Sequence, residues 1–254
     1  MNHKTVLFVA ALPAELNSIK KEVKKLSLTF LSAKFFLSWV GNYKTLYNLK
    51  HYLDNAKEKP DFIINIWLCW RSKTAQTDIF QVYRILWAAN WRELLSPIYV
   101  DFRKKYSILS SEKVITWQDQ MLWEDYVDME SYAIDYIATE EKIPYIILKK
   151  PFDIVSNTSK KIDISQFQDC LSDIEYQDLL KTIQKFLEKN HDVERQKKDT
   201  YLGETLKYFQ FTFSEKEIWK KWYAKLIANK WSYKSFLKEN TDIDKKDFLN
   251  KLTK

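Results

Sequence analysis

Short apolar runs alternate along this chain with amphipathic runs of helical period, and that alternation restricts the folds open to it. "KTVLFVAAL" (4–12) has the composition of a core strand. "PAELNSIKKEVKKL" (13–26) follows, opening on proline and carrying Leu16, Ile19, Val23 and Leu26 at helical spacing. "LTFLSAKFFLSWV" predicts one or two strands, and "NYKTLYNLKHYLDNAKE" (42–58) a helix with Leu46, Leu49 and Leu53 inward. "PDFIINI" and "DIFQVYRIL" predict strands, and "EKVIT" (112–116) a short extended piece. A helix over 128–142, a strand over 143–150 and a long helix over 165–190 complete the series. The pattern predicts an α/β domain, with a central mixed, mostly parallel sheet in a three-layer α/β/α arrangement. Ligands of such sheets bind at the carboxyl ends of the strands. Residues 1–190 form this expected domain, 191–200 read as a polar linker, and 201–254 as a helical C-terminal extension.

The charge balance is basic, +7 in all, and residues 189–254 carry most of it with 16 Lys and Arg against 10 Asp and Glu. Lysine greatly outnumbers arginine and the basic residues are interleaved with acidic ones, which argues against a nucleic-acid surface. No run reaches the ~18 apolar residues of a membrane span, and no signal-peptide pattern opens the chain. Cys69 and Cys170 make no disulfide framework or metal-ligand spacing, which points to a reducing cytoplasm. His3, His51 and His191 are scattered, which argues against a zinc site or a serine-histidine triad.

Three acidic residues fall where such sheets place their sites: Glu15 in "AALPAEL", Glu130 in "VDMES" and Asp153 in "ILKKPFDIVSN". Singly, Glu15 and Glu130 read as first-turn acids favoured by a helix dipole, and Asp153 as a turn residue. Together, the succession "VLFVAALPAEL", "SWVGN", "INIWLCW", "VDMESYAI" and "IPYIILKKPFDIVSN" resembles the nucleoside phosphorylase superfamily. Within it, the methylthioadenosine/S-adenosylhomocysteine nucleosidases and related purine nucleosidases are most similar, over roughly residues 4–190. The resemblance implies a purine nucleoside as substrate, cleavage of its N-glycosidic bond through an oxocarbenium-like transition state, and no metal or organic cofactor. By the same resemblance, Asp153 protonates or hydrogen-bonds the purine N7, and Glu130 accepts hydrogen bonds from the ribose hydroxyls. Met129 packs against the sugar, Glu15 activates the attacking water, and the protein is expected to be a homodimer. Departures are clear: Phe152 stands where serine is common, Lys149 where arginine is, and the segment before "VDMES" is short. That leaves Met121 and Leu122 as candidates to stack on the base.

Glycine is nearly missing. It normally makes up about 7% of a chain, roughly 18 residues at this length, yet only Gly41 and Gly203 occur, against ten tryptophans. The family carries "Ser-Gly-x-Gly" where this chain has Ser38-Trp39-Val40-Gly41, and "Gly-x-x-Gly" where it has Trp67-Leu68-Cys69-Trp70. Trp39, Trp67 and Trp70 therefore fall, with Gly41, on the expected floor of the substrate pocket. "LWAANWREL" (86–94) and "TWQDQMLWED" (116–125) also read as loops with tryptophan in place of glycine, whereas Trp219, Trp222 and Trp231 have an amphipathic helical context. Reading UGA codons as tryptophan in a gene whose host inserts glycine would produce this composition. The other reading is a diverged chain whose pocket is blocked by real indoles. Hydrolysis by way of Glu15 is the expected reaction; phosphorolysis and non-catalytic nucleoside binding are the alternatives.

Overall fold

The computed structural model describes residues 3–26, 30–121, 123–156 and 170–196. Its elements are β1 (Lys4–Ala10), α1 (Pro13–Val23), β2 (Leu31–Leu37), α2 (Asn42–Asn55), β3 (Phe62–Arg71), β4 (Phe80–Trp87), β5 (Arg92–Leu95), β6 (Lys105–Ser110), β7 (Tyr126–Asp128), α3 (Ser131–Glu140), β8 (Tyr145–Ile154) and α4 (Tyr176–Gln196), with a 3-10 turn at Gln118–Met121. Met1–Leu187 is one compact unit and Glu188–Lys254 a second, which is described only as far as residue 196.

The core strands are apolar on both sides because both faces of the sheet are covered. In β1, Val6, Phe8 and Ala10 join a cluster with Leu16, Ile19 and Val23 of α1 and Leu179, Leu180 and Ile183 of α4. Leu7 and Val9 point the other way, to Leu49 and Leu53 of α2 and Ile134 and Ile137 of α3. The same period of two divides Ile146 and Leu148 from Tyr145 and Ile147 in β8. Helices therefore cover both faces of an eight-stranded mixed sheet, the expected α/β/α arrangement.

The sheet runs β2-β1-β3-β7-β6-β4-β5, and β8 pairs with both β3 and β4. β3, β8, β4, β6 and β7 thus close into a ring, which the alternation of runs did not predict. Several local expectations also change. β3 was expected to end near Ile66 in a loop; instead it continues through Trp67–Trp70, paired with β8 from Ile63↔Tyr145 to Arg71↔Ile154 and bulged at Cys69/Trp70. An apolar run with partners on both sides has no cause to leave the sheet. β8 likewise continues past Lys150 through "PFDI". The strand role expected of 112–116 belongs to Lys105–Ser110, the last helix starts at Tyr176, and that helix continues to Gln196, into the span read as linker. The expected extension over 201–254, with Trp219, Trp222 and Trp231, lies outside the described residues. No described helix is long and apolar enough to cross a membrane.

Ile183 is fully buried where α4 meets the sheet. Ile183→Ala should lower the unfolding free energy by about 2–5 kcal/mol, the range for emptying such a core position, as measured by urea titration.

Candidate active site

Where β1 and β7 end, and midway along β3 and β8, the sheet gathers a set of polar side chains that the core around them would otherwise exclude. At their centre is Lys149 of β8, with no exposed surface. Its ammonium is 2.6 Å from Asp128 Oδ2 and donates to Asn65 Oδ1 at 3.0 Å. Asn65 in turn donates from Nδ2 to the Val9 carbonyl, which ties β8 to β3 and β1. Asp128 Oδ2 also accepts from the N–H and Oγ of Ser131, fixing the start of α3. The Lys149 ammonium lies 5.5 Å from the centre of the Trp67 ring.

Glu15 and Glu130 flank this pair, and both are buried. Glu15 sits in the first turn of α1, where its Oε2 accepts the Leu12 N–H at 3.1 Å. Its Oε1 has no hydrogen-bond partner. Burial pushes its carboxyl up to about 8, against the relief given by the Leu12 N–H and by Lys149. Glu130 precedes α3, and its Oε1 accepts the Gly41 N–H at 3.0 Å across 89 positions of sequence. Burial, then the charge of Asp128, raise Glu130 to about 8; Lys149 and the Gly41 amide act in the opposite direction. Asp128 Oδ1 has no hydrogen-bond partner either. One buried cation therefore faces three buried carboxyl groups, and the two that lack its direct contact hold protons near neutral pH.

The loop 38–41 completes the group. Gly41 has φ +105, and a Cβ there would stand 3.0 Å from Glu112 Oε1. The adjoining Tyr43 N–H donates to Glu112 Oε2, and Asn42 joins Ser110 of β6 to the Ala133 N–H of α3. Met129 is buried beside Glu130. Asp153 of β8 pairs in register with Trp70, which pairs on its other side with Val127 of β7. Asp153 and Val127 thus flank Trp70 near the end of β3, and Asp153 Oδ1 accepts the Ile154 N–H at 2.8 Å.

The remaining expected positions are arranged differently. Met121 is buried in a cluster with Leu86, Leu109, Val127 and Val155, so it offers no face to a base. Leu122 lies outside the described residues. Trp67 is buried in the core, Trp70 packs against the Leu86–Leu109 cluster, and Trp39 is half exposed. Among the described residues no group of three His, Cys, Asp or Glu side chains is placed to hold a metal ion. Asn65, Asp128 and Glu112 were missed from sequence, although an asparagine inside "FIINIW" is a polar interruption that asks for a buried partner.

The sign of the pH dependence follows from these acids. In the unfolded chain they ionise from about 4.5, whereas in the fold they stay neutral up to about 8. The stability tied to the neutral forms is full below the lower value and is lost as pH rises toward the higher. Glu15→Gln should flatten that slope and stabilise the protein at pH 7 by on the order of 2–3 kcal/mol, read from melting curves between pH 5 and 8.

No protein-family model matches the sequence, and no curated protein matches it. Solved structures do match by shape. The methylthioadenosine/S-adenosylhomocysteine nucleosidase of Campylobacter jejuni aligns with TM-score 0.57 and 11% identity, over 72% of this chain and 100% of its own. That of Colwellia psychrerythraea, in complex with adenine, aligns with TM-score 0.54 and 12% identity, over 67% and 89%. That of Neisseria meningitidis, in complex with methylthio-immucillin-A, gives 0.53 and 14%, over 66% and 93%. The chain therefore has the α/β fold seen in these methylthioadenosine/S-adenosylhomocysteine nucleosidases.

Proposed function

We propose that residues 1–190 form a nucleosidase that hydrolyses the N-glycosidic bond of a purine nucleoside of the methylthioadenosine or adenosylhomocysteine type, acting as a homodimer. The observation that carries this reading is the pair of buried carboxyls, Glu15 and Glu130, held about one buried cation in the sheet. The likeness to nucleosidase structures supports it. Glu130, when ionised, receives the ribose hydroxyls, and that charge counts for more as the sugar becomes cationic. Met129 packs on the sugar face. Glu15, ionised, takes a proton from the attacking water; a carboxyl raised to about 8 is a stronger base than an ordinary one. Asp153 stabilises the departing purine by a proton or hydrogen bond at N7.

Water is favoured over phosphate as nucleophile by the state of the nearby cations. Lys149 is committed to Asp128 and Asn65. Arg71 donates to the backbone carbonyls of Ser72, Lys73 and Ala75, and Lys44 is exposed on α2. Lys149 and Arg71 are thus engaged by the protein's own acceptors, and Lys44 faces solvent.

Two outcomes are expected. Release of adenine from methylthioadenosine should proceed in phosphate-free buffer, and an absolute requirement for phosphate would exclude hydrolysis. Asp153→Asn should lower kcat by ~10²–10⁴, the usual worth of a general acid, with little change in affinity for the nucleoside; unchanged turnover would remove Asp153 from the reaction.

A further inference from the structure

Three described residues other than glycine adopt a left-handed backbone, and two of them are tryptophans: Trp39 at φ 68 and Trp91 at φ 59. In that region the Cβ of an L residue crowds the following carbonyl oxygen. Glycine escapes the clash, and asparagine or aspartate offset it with a short polar side chain. An indole does neither. The third residue, Lys142, follows α3, where the Lys142 and Ile143 amides return to the Thr139 and Ala138 carbonyls. That is a helix-ending position usually given to glycine, filled here by a flexible solvated chain.

The two tryptophans also gain nothing by burial. Trp39 is 50% exposed and Trp91 56%, and Trp117 and Trp123, in the segment before β7, reach 57% and 75%. Tryptophan is normally well buried because its large apolar surface is costly in water. Trp91 is the last residue of the four-residue connection between β4 and β5, closed by its N–H to the Trp87 carbonyl at 2.8 Å. A left-handed residue closing a hairpin loop is a place for glycine. Trp39 shares its loop with Gly41, the other left-handed residue there. Trp87 behaves in the opposite way: it lies inside β4, is buried, and stacks on Tyr132 with ring centres 4.6 Å apart. The stretch 86–94, expected as one loop, is therefore strand at Trp87 and loop at Trp91.

We propose that the cell that makes this protein inserts glycine at positions 39 and 91, by reading UGA as glycine, and tryptophan at position 87. The inference stands on backbone angle and exposure, independently of the nucleosidase reading. Its consequence for the site is local: the 38–41 loop touches Glu130 through the Gly41 amide, and without an indole at 39 its backbone is open to a ligand held by that carboxylate.

Peptide mass spectrometry of the protein from its natural host decides the matter. The tryptic peptide 85–92 contains both the test and its control. It should carry glycine at 91 and tryptophan at 87, and peptide 35–44 should carry glycine at 39. Tryptophan at 39 or 91 overturns the proposal, and glycine at 87 overturns the structural criterion behind it. With the chain expressed as its sequence is written, Trp39→Gly/Trp91→Gly should raise the unfolding midpoint and Trp87→Gly should lower it. A lower midpoint for the double variant counts equally against the proposal.

Discussion

The buried ammonium of Lys149 is the interaction on which the rest of this structure depends. It is placed in β8 by an apolar strand that is fixed in register against β3, and it has no route to water. A buried cation must find an anion and further acceptors, and Asp128 and Asn65 provide them. Removing one partner of such a pair typically costs about 3–5 kcal/mol, because the other charge is left stranded. Asp128 in turn binds Ser131 at the start of α3, so the position of Glu130 is inherited from the ion pair.

The same pair sets the electrostatics of its neighbours. Asp128 takes most of the compensation that Lys149 can offer, and Glu15 and Glu130 are left with desolvation as their dominant influence. Their carboxyls therefore titrate near neutrality, where an acid or base is most useful in proton transfer. The ring closed by β3, β8, β4, β6 and β7 supplies the geometry. It brings the ends of β7 and β8 to opposite sides of β3, so residues distant in sequence share one floor.

Much of this was legible in the chain. The strands of β1, β3 and β8 and the helices α1 to α3 follow from apolar period and from the proline at the start of α1. Glu15 and Asp153 stood out because each follows a strand-like run, and Glu130 because "VDMES" opens a helix and carries the resemblance. The continuation of β3 through Trp67–Trp70 was not legible: a loop and a buried strand share the same short apolar run, and only the partners on both sides choose between them. Met121 was misread for a similar reason, since a methionine before β7 fits a ligand wall or a core equally well, and packing against Val127 and Val155 put it in the core.

What the sequence determined by itself is the layered α/β arrangement, because a period of two and a period of 3.6 each dictate one element, and their alternation dictates covered sheet faces. It also supplied the anomaly of ten tryptophans against two glycines. Only the tertiary structure decided which tryptophans violate their surroundings, since exposure and a left-handed φ are properties of a folded loop and not of a letter. It alone, too, joined Gly41 to Glu130 and Lys149 to Asp128, contacts made by strands whose pairing no local pattern encodes.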